Sequence, residues 1–367
     1  GRYSDVDIAA FVSAFAAQPA QGEETAALTR AMLAAGDRLE WNADRVMDKH
    51  CVGGLPGNRT TPIVVSIVAA AGLTMPKTSS RAITSPAGTA DAMETMAPVT
   101  LDVAAMQKVV ERESGCIVWG GSVNLSPADD VLIRIERALD VDSDAQLVAS
   151  VLSKKLAAGS THVVLDLPVG PTAKIRSTED AVALAGLLED VAQQCGLHVA
   201  TVQTDGTQPV GRGIGPALEA HDVLAVLTNR EDAPQDLKTR ALALAAGILE
   251  LSGVTRSDAL QQATKLLIEG RAESKFLAIC EAQGGFREPG RALQTREFLA
   301  ARAGRVATFD NRLLARTAKL AGAPQRATAG IALHVQSGDL VEQARPPSAT
   351  HRQTMGDVAS SLRSPLP

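Results

Sequence analysis

Cysteines are few in this chain, and none is placed to act together with another. The four cysteines, Cys51, Cys116, Cys195 and Cys280, include no pair at C-x-x-C spacing, which argues against a zinc site or a dithiol redox pair. No two histidines have the spacing of metal ligands either. Isolated cysteines in a long chain are typical of the reducing cytosol. We therefore expect a cytoplasmic protein without a zinc site or a dithiol redox pair.

Long apolar runs, a signal peptide and an excess of basic charge are missing as well. No apolar stretch reaches the length needed to cross a membrane, and no secretion signal is recognisable. The 36 Lys and Arg residues are outnumbered by 41 Asp and Glu residues, a net charge of −5. This balance argues against a general nucleic-acid binder but allows a local anion site. We expect neither a membrane nor a nucleic-acid partner.

What the chain does have is the composition of a globular protein. Its 367 residues, of which 45% are hydrophobic and 21% charged, suffice for two or three domains. The sequence starts at Gly1 without an initiator Met, so we expect a processed or truncated piece of a longer protein.

Predicted strands and helices alternate in the middle of the chain. Residues 162–167 and 198–203 are apolar runs typical of buried strands, and helical patterns at 179–194 and 215–227 follow them. This alternation favours a largely parallel sheet with helices outside. Further elements are two helices within 4–36, helices over 127–156 and most of 237–302, and a strand through Ile331, Leu333 and Val335.

Two glycine-rich loops each open a predicted helix. The first, at 53–58, follows Lys49 and leads into a helix that Thr60 or Thr61 would cap; the second, at 79–89, is rich in hydroxyl side chains. Free N–H groups and the positive dipole end at a helix start bind anions, and glycine lets the backbone approach them closely. The loops therefore predict a phosphate site, although the same composition also fits two tight turns.

A serine and a lysine lie four residues apart on a predicted helix. Ser150 and Lys154 therefore share a face, and Lys154 could stabilise a developing negative charge; a solvated helix face is the alternative. Asp142 precedes this helix, where it would either favour the helix dipole or donate a proton to a leaving group. Ser143 and Gln146 predict a capping box.

Three segments, at 48–54, 79–94 and 149–156, resemble one enzyme family. Asp-Lys-His followed by Gly-Gly is similar to the opening motif of the pyrimidine-nucleoside phosphorylases, and the second segment resembles their Ser-x-Arg…Gly-Thr-x-Asp…Glu signature. The third resembles their helix with the base-binding Ser and Lys. The chain therefore resembles the thymidine phosphorylase and AMP phosphorylase family over most of its length. It fits best the branch that holds AMP phosphorylases and bacterial thymidine phosphorylase homologues.

The resemblance implies an α/β protein divided into two domains and a C-terminal segment. A small all-helical domain would comprise 1–43 and 127–158, and a larger α/β phosphate-binding domain with a mixed, largely parallel sheet would comprise 44–126 and 159–326. Residues 327–367 would form a C-terminal hammerhead-like element and a tail. The family also implies a homodimer formed through the helical domain.

A role for each matched residue is implied too. Ser150 and Lys154 would bind the base, His50 would lie near it, and Asp142 would donate a proton to it; these four form the implied catalytic group. The implied phosphate-binding residues are Lys49, Gly54, Thr61, Ser80, Arg81, Ala82, Ile83, Thr84, Ser85 and Thr89. Inorganic phosphate is then a co-substrate, and the implied reaction requires no cofactor and no metal.

The implied reaction is phosphorolysis of thymidine or a related pyrimidine nucleoside to free base and (deoxy)ribose 1-phosphate. Three alternatives stay open. The first is a nucleoside 5′-monophosphate phosphorylase of the AMP type. The second is a phosphoribosyltransferase such as the anthranilate enzyme, which would need magnesium and an acidic motif that is not evident here. The third is an inactive binding protein of the same fold.

Two positions depart from the classical thymidine enzymes. Cys51 stands where those enzymes have a phosphate-binding serine, and a thiol is a poorer hydrogen-bond donor. The arginine that they use upstream of the Ser-Lys pair has no clean match, since neither Arg134 nor Arg137 falls on it. These departures leave the specificity for thymidine open.

Overall fold

A computed structural model describes residues 2–17, 21–82, 85–123, 125–141 and 143–343. Contacts group the chain into two units, each described by itself. The first runs to Leu293 and includes Thr308–His334; the second combines Gln294–Ala307 with the chain from Val335 on. Three predicted site residues, Ile83, Thr84 and Asp142, lie outside the described residues. No helix in the described ranges is long and apolar enough to cross a membrane.

The helices of the described chain all belong to the first unit. They are α1 (Asp5–Ala16), α2 (Gly22–Ala34), α3 (Thr60–Ala70), α4 (Thr89–Glu94), α5 (Val103–Glu113), α6 (Pro127–Leu139), α7 (Asp144–Ala157), α8 (Thr178–Gln194), α9 (Pro216–Leu227), α10 (Gln235–Leu251), α11 (Arg256–Ile268), α12 (Arg271–Gln283) and α13 (Asn311–Leu320). The strands are β1 (Met47–Cys51), β2 (Met75–Ser79), β3 (Gly115–Trp119), β4 (His162–Val169), β5 (His198–Asp205), β6 (Gly213–Ile214), β7 (Gly304–Arg305), β8 (Ile331–Ala332) and β9 (Leu340–Val341).

A parallel sheet lies at the centre of the first unit, as the alternation of strands and helices predicts. β4 pairs in parallel with β1 on one side and β5 on the other, with Cys51 opposite Asp166 and Val169 opposite Asp205. β2 and β3 form a second parallel pair. A parallel bridge from Val46 to Thr74 places β2 beside β1. The main strands therefore follow the order β3-β2-β1-β4-β5, while the short β6 and β8 pair antiparallel.

The two faces of this sheet build two different cores. In β4, Val164 belongs to a core with α3 and α10, whereas Val163, Leu165 and Leu167 belong to a core with α7 and α8. A strand buried on both faces reads as a continuous apolar run, which is why its sequence is recognisable. Helix α3 is buried all round from Thr60 to Ala69, since it packs inside the larger core.

The helices near the N-terminus pack around α7. α1 contacts α6 and α7, and α2 contacts α7 and α8. The indole N–H of Trp41 donates to the carbonyl of Ala158 at 2.7 Å and ties the end of this segment to the end of α7. The division of the chain into a helical and an α/β domain at 43/44, 126/127 and 158/159 stays a prediction.

Some elements differ from the sequence prediction. β2 and β3 were not predicted because Pro76 and Lys77 interrupt the apolar pattern of β2, and β3 has only five residues. The helices predicted for most of 237–302 are present up to Gln283 as α10, α11 and α12. Beyond it the prediction is wrong, because Gly284 and Gly285 both take positive φ and no helix resumes in the described residues before Asn311. The strand predicted through Ile331, Leu333 and Val335 is limited to β8.

The second unit is a small antiparallel ribbon. β7 pairs with β9, with Gly304 opposite Val341 and Arg305 opposite Leu340. The amide of Val306 donates to the carbonyl of Asp339 at 2.9 Å and extends the pairing toward the turn. The hammerhead-like element stays a prediction.

Candidate active site

Strand β1 presents alternate side chains to the two cores. Met47 belongs to the core with α3 and α10, so Lys49 and Cys51 point the same way and Asp48 and His50 point toward α7. The observed contacts agree, because Lys49 reaches α3 and Asp48 reaches α7. Consecutive residues of β1 therefore lie in two different environments.

Lys49 lies at the start of α3, on the side predicted for phosphate. Its Nζ donates to the hydroxyl of Thr60 at 2.6 Å and lies 3.4 Å from that of Thr61. The side chain is 2% exposed, and this burial lowers the pKa of its ammonium. Thr60 and Thr61 are thus not helix caps: α3 begins at Thr60, and their hydroxyls hold the lysine. A cation at the positive end of a helix is suited to an anion.

The first glycine-rich loop folds over the ends of β1 and β4. Gly54 takes φ +84°, and a Cβ there would lie 2.5 Å from the amide nitrogen of Lys174, so the close approach requires glycine. Asn58 donates its Nδ2 to Cys51 Sγ at 3.2 Å and to Asp166 at 3.4 Å. Burial raises the pKa of the Cys51 thiol, which stays protonated.

The second loop is organised by acidic residues of α4. Asp91 accepts hydrogen bonds from the amides of Ala82 at 2.6 Å and Gly88 at 2.8 Å. Arg81 forms a two-bond pair with Glu94, at 2.5 and 2.8 Å, and lies 4.9 Å above the ring of Trp119. Arg81 and the Ala82 amide, both predicted to bind phosphate, therefore have partners inside the protein. Their role at phosphate stays a prediction.

The remaining predicted hydroxyls of this loop differ in their surroundings. Ser80 is exposed, while its carbonyl accepts the amide of Ala90 at 3.2 Å. Ser85 donates to the carbonyl of Ala87 at 2.8 Å. Thr89, at the first turn of α4, accepts a hydrogen bond from an arginine that the sequence patterns did not single out.

That arginine, Arg59, joins the two loops. Its Nη1 donates to Thr89 Oγ1 at 2.6 Å, its Nη2 to the carbonyl of Ala87 at 3.0 Å, and its Nε to Glu219 at 2.8 Å. Arg59 is 9% exposed and Glu219 1%. We call this group the Arg59 clasp. It holds the first turn of α4 against the start of α3, so both helix starts meet at one place.

Glu219 is an unusual partner for the Arg59 clasp. Burial raises the pKa of its carboxyl to about 7, although Arg59 and the amide of Gly215 lower it. Local patterns carry little sign of this contact, because the two residues are 160 positions apart.

The Ser-Lys pair predicted for the base lies on α7 and faces α6. Lys154 Nζ donates to Ser150 Oγ at 3.0 Å and forms an ion pair with Asp129 Oδ2 at 2.8 Å. Asp129 is buried, and its second oxygen has no hydrogen-bond partner. Asp129 was not predicted; it fixes the position of the lysine. Gln146 one turn earlier is buried and both atoms of its side-chain amide lack partners, so only the Ser143 half of the predicted capping box forms.

His50 belongs to the same side as this pair. Burial lowers the pKa of its imidazole well below the usual value, and the ammonium groups of Lys155, Lys77 and Lys154 lower it further against the opposing effect of Asp48. His50 is therefore a neutral ring at physiological pH. Lys154 is close enough for its charge to act on the imidazole.

The two arginines considered for base binding differ in their surroundings. Arg134 forms two hydrogen bonds with Asp5 of α1, at 2.8 and 2.9 Å, and Arg137 is exposed. Within the described ranges, no three His, Cys, Asp or Glu side chains are grouped to hold a metal ion.

Comparison with known proteins places this chain in a family. The model of the glycosyl transferase family, a/b domain, matches residues 43–273. The chain belongs to this family. It is 63% identical over 359 residues to "Putative thymidine phosphorylase 1" of Acidovorax sp. (strain JS42), covering 98% of this chain and 70% of the relative. It is 59% identical over 363 residues to "Putative thymidine phosphorylase" of Chelativorans sp. (strain BNC1), covering 99% and 71%.

Solved structures with low sequence identity share the fold. Anthranilate phosphoribosyltransferase from Thermus thermophilus superposes with a TM-score of 0.62 at 18% identity, covering 77% of this chain and 91% of that one. The Saccharomyces cerevisiae enzyme, in complex with PRPP and Mg, gives a TM-score of 0.56 at 16% identity, covering 71% and 80%. The protein is thus a glycosyltransferase of the pentosyltransferase kind with a phosphoribosyltransferase-like fold.

Proposed function

We propose that this enzyme cleaves a pyrimidine nucleoside with inorganic phosphate, giving free base and (deoxy)ribose 1-phosphate. One observation carries the proposal: consecutive residues of β1 lie next to two different groups of side chains. Lys49 lies buried at the start of α3, suited to phosphate, while His50 is on the side of Lys154 and Ser150, suited to a base. The names of the relatives at about 60% identity support the same reaction.

The chemistry is a substitution at the anomeric carbon. A phosphate oxygen forms the new C1′–O bond while the C1′–N bond breaks, and its electron pair goes to the base. Lys154 and Ser150 stabilise the negative charge on the base, and Asp142 supplies the proton that neutralises it. Lys49 and the two helix starts orient the phosphate, so positioning and fixed charge supply most of the rate.

Nucleoside 5′-monophosphates are the second candidate substrate. The observation that favours them is the placement of Arg134 on Asp5 and the exposure of Arg137. By the sequence resemblance, neither arginine matches the one that the classical thymidine enzymes use upstream of the Ser-Lys pair, so we expect no arginine contact to the base of thymidine.

Phosphate-dependent release of free base tests both candidates. We would incubate the protein with thymidine, uridine, cytidine, AMP, CMP and UMP, with and without phosphate, and quantify the base by chromatography. Release from nucleosides alone supports the first candidate, and release from monophosphates alone supports the second. Anthranilate with PRPP and magnesium should give no product; turnover there, or no phosphorolysis of any substrate, contradicts both candidates.

Variants separate a genuine site from a contaminating activity. Lys49→Met removes the buried ammonium and should abolish release, whereas Lys108→Met, on the exposed face of α5, should leave it unchanged. Isothermal titration with phosphate alone then shows whether the Lys49 variant has lost the anion.

We also propose a homodimer formed through the N-terminal helices. Val6 is 78% exposed and Phe11 45% on α1, and Leu139 is 40% exposed at the end of α6. These large apolar side chains lie on two helices that contact each other, and a second copy of the chain would cover them. Light scattering after gel filtration should report twice the chain mass of 38.1 kDa, and Val6→Asp should shift it toward the monomer; a monomeric wild type contradicts the proposal.

A further inference from the structure

Three charged side chains form a buried cluster on the face of β1 that also carries His50. Asp48 of β1 is fully buried; its Oδ1 lies 3.0 Å from Lys77 Nζ of β2 and its Oδ2 lies 2.9 Å from Lys155 Nζ of α7. The hydroxyl of Ser160 donates to Oδ2 at 3.2 Å. Both lysines are about as buried as the core, at 5% and 4% exposure. We call these three residues the Lys77–Asp48–Lys155 cluster.

The charges of this cluster do not balance. Two ammonium groups share one carboxylate, so one positive charge is left in the protein interior. The two lysines hold the pKa of Asp48 well below its usual range although burial alone would raise it, and burial lowers the pKa of Lys155. Apolar side chains of similar volume commonly stabilise a protein as well as a buried ion pair does. Stability therefore does not explain the second lysine.

The position of the cluster suggests what the charge does. Lys155 is the neighbour of Lys154 on α7, so its bond to Asp48 fixes this helix on β1. His50 lies two residues beyond Asp48 and faces the same side. The charged groups that act on His50 are Lys155, Lys77, Lys154 and Asp48, and three of these four belong to the cluster.

We propose that the Lys77–Asp48–Lys155 cluster is a positioning device for the base side of the site. It fixes α7, with Ser150 and Lys154, on the strand that carries Lys49. Its surplus positive charge disfavours a further cation at the buried His50 and favours the negative charge that develops on the departing base. This role rests on the proposed phosphorolysis, whereas the effect on His50 does not.

Two single substitutions distinguish the effect of the surplus positive charge from that of the Lys155–Asp48 bond, which attaches α7 to β1. Lys77→Met removes one positive charge and leaves α7 bound through Lys155, and Lys155→Met removes the same charge together with the attachment. In both variants, the NMR titration of the His50 ring should move to higher pH, with the other five histidines as internal references. For both, kcat should fall on the order of tenfold with the KM for phosphate unchanged. Only Lys155→Met should also raise the KM for the nucleoside.

Controls keep this test decisive. Lys77→Arg keeps the charge and should restore the titration and kcat, and Lys108→Met should change neither; Lys77→Gln replaces Lys77→Met if that variant does not fold. An unchanged His50 titration with kcat within about twofold of wild type in both Met variants overturns the proposal. If His50 shifts but wild-type protein releases no base from any substrate, the proposed function fails while the electrostatic role of the cluster stands.

Discussion

Replacing Arg59 by methionine tests whether one buried guanidinium holds the two loops of the site together. The substitution removes the hydrogen bonds to Thr89 and Ala87 and leaves Glu219 buried without its partner. Each lost hydrogen bond is worth about 1 kcal/mol, so we expect a loss of about 2 kcal/mol in the free energy of unfolding at pH 6. At that pH Glu219, with a pKa of about 7, avoids an unpaired charge by binding a proton.

The loss should grow as the pH rises. Arg59 lowers the pKa of Glu219, so its removal raises that pKa further, and keeping the carboxyl protonated costs about 1.4 kcal/mol for each pH unit. At pH 8 we expect a total loss of about 3 kcal/mol, in the range of a broken buried ion pair. Because the first turn of α4 is then no longer held against α3, the KM for phosphate should rise about tenfold or more.

Denaturant unfolding at pH 6 and pH 8 and phosphate titrations measure these effects. Arg230→Met is the matched control, since Arg230 forms a two-bond pair with Asp232 on the surface and its loss should change neither quantity. The double variant Arg59→Met/Glu219→Gln should lose the extra sensitivity at pH 8. If Arg59→Met unfolds like wild type at both pH values and binds phosphate normally, the clasp does not hold the loops.

Three further predictions concern single residues of the site. Glu219→Gln should remove a pH dependence of the free energy of unfolding. The wild-type pKa of Glu219, about 7, lies above the ordinary value of 4.5, so the wild type should lose roughly 3 kcal/mol between pH 4.5 and pH 7 that the variant does not lose. A difference between the two proteins that stays constant over this range would contradict the prediction. Lys154→Met should lower kcat by about 100-fold in steady-state assays, with Lys108→Met as the exposed control; a change in KM alone would contradict a role at the leaving base. Gly88→Ala places a methyl group against the backbone of Ser80 and should lower kcat/KM for phosphate about tenfold, and unchanged phosphate kinetics would show that this approach is not needed.

Local sequence patterns predicted much of the fold. The apolar run of β4 and the capping serine of α7 were readable because backbone geometry sets which neighbours share a face or a turn. The Ser150–Lys154 contact follows from helical spacing for the same reason. β2 was missed because Pro76 and Lys77 hide a short strand.

The site shows where local patterns stop being informative. Thr60 and Thr61 were predicted as helix caps, but their hydroxyls hold Lys49, a contact that exists only once β1 lies beside α3. Lys154 needed a buried counter-charge, yet nothing near it in sequence identified Asp129, 25 residues away.

The sequence by itself determined the parallel α/β framework, the two glycine-rich helix starts and the helix face that carries Ser150 and Lys154. Each depends on neighbours within a few residues, whose relative positions the backbone fixes. Only the tertiary structure decided that Arg59 pairs with Glu219 and that Asp48 is shared by two lysines, since these partners lie 160 and up to 107 residues apart. Burial favours such pairings, because a charge taken out of water is costly without a partner, but the packing of the strands and helices chooses which partner it meets.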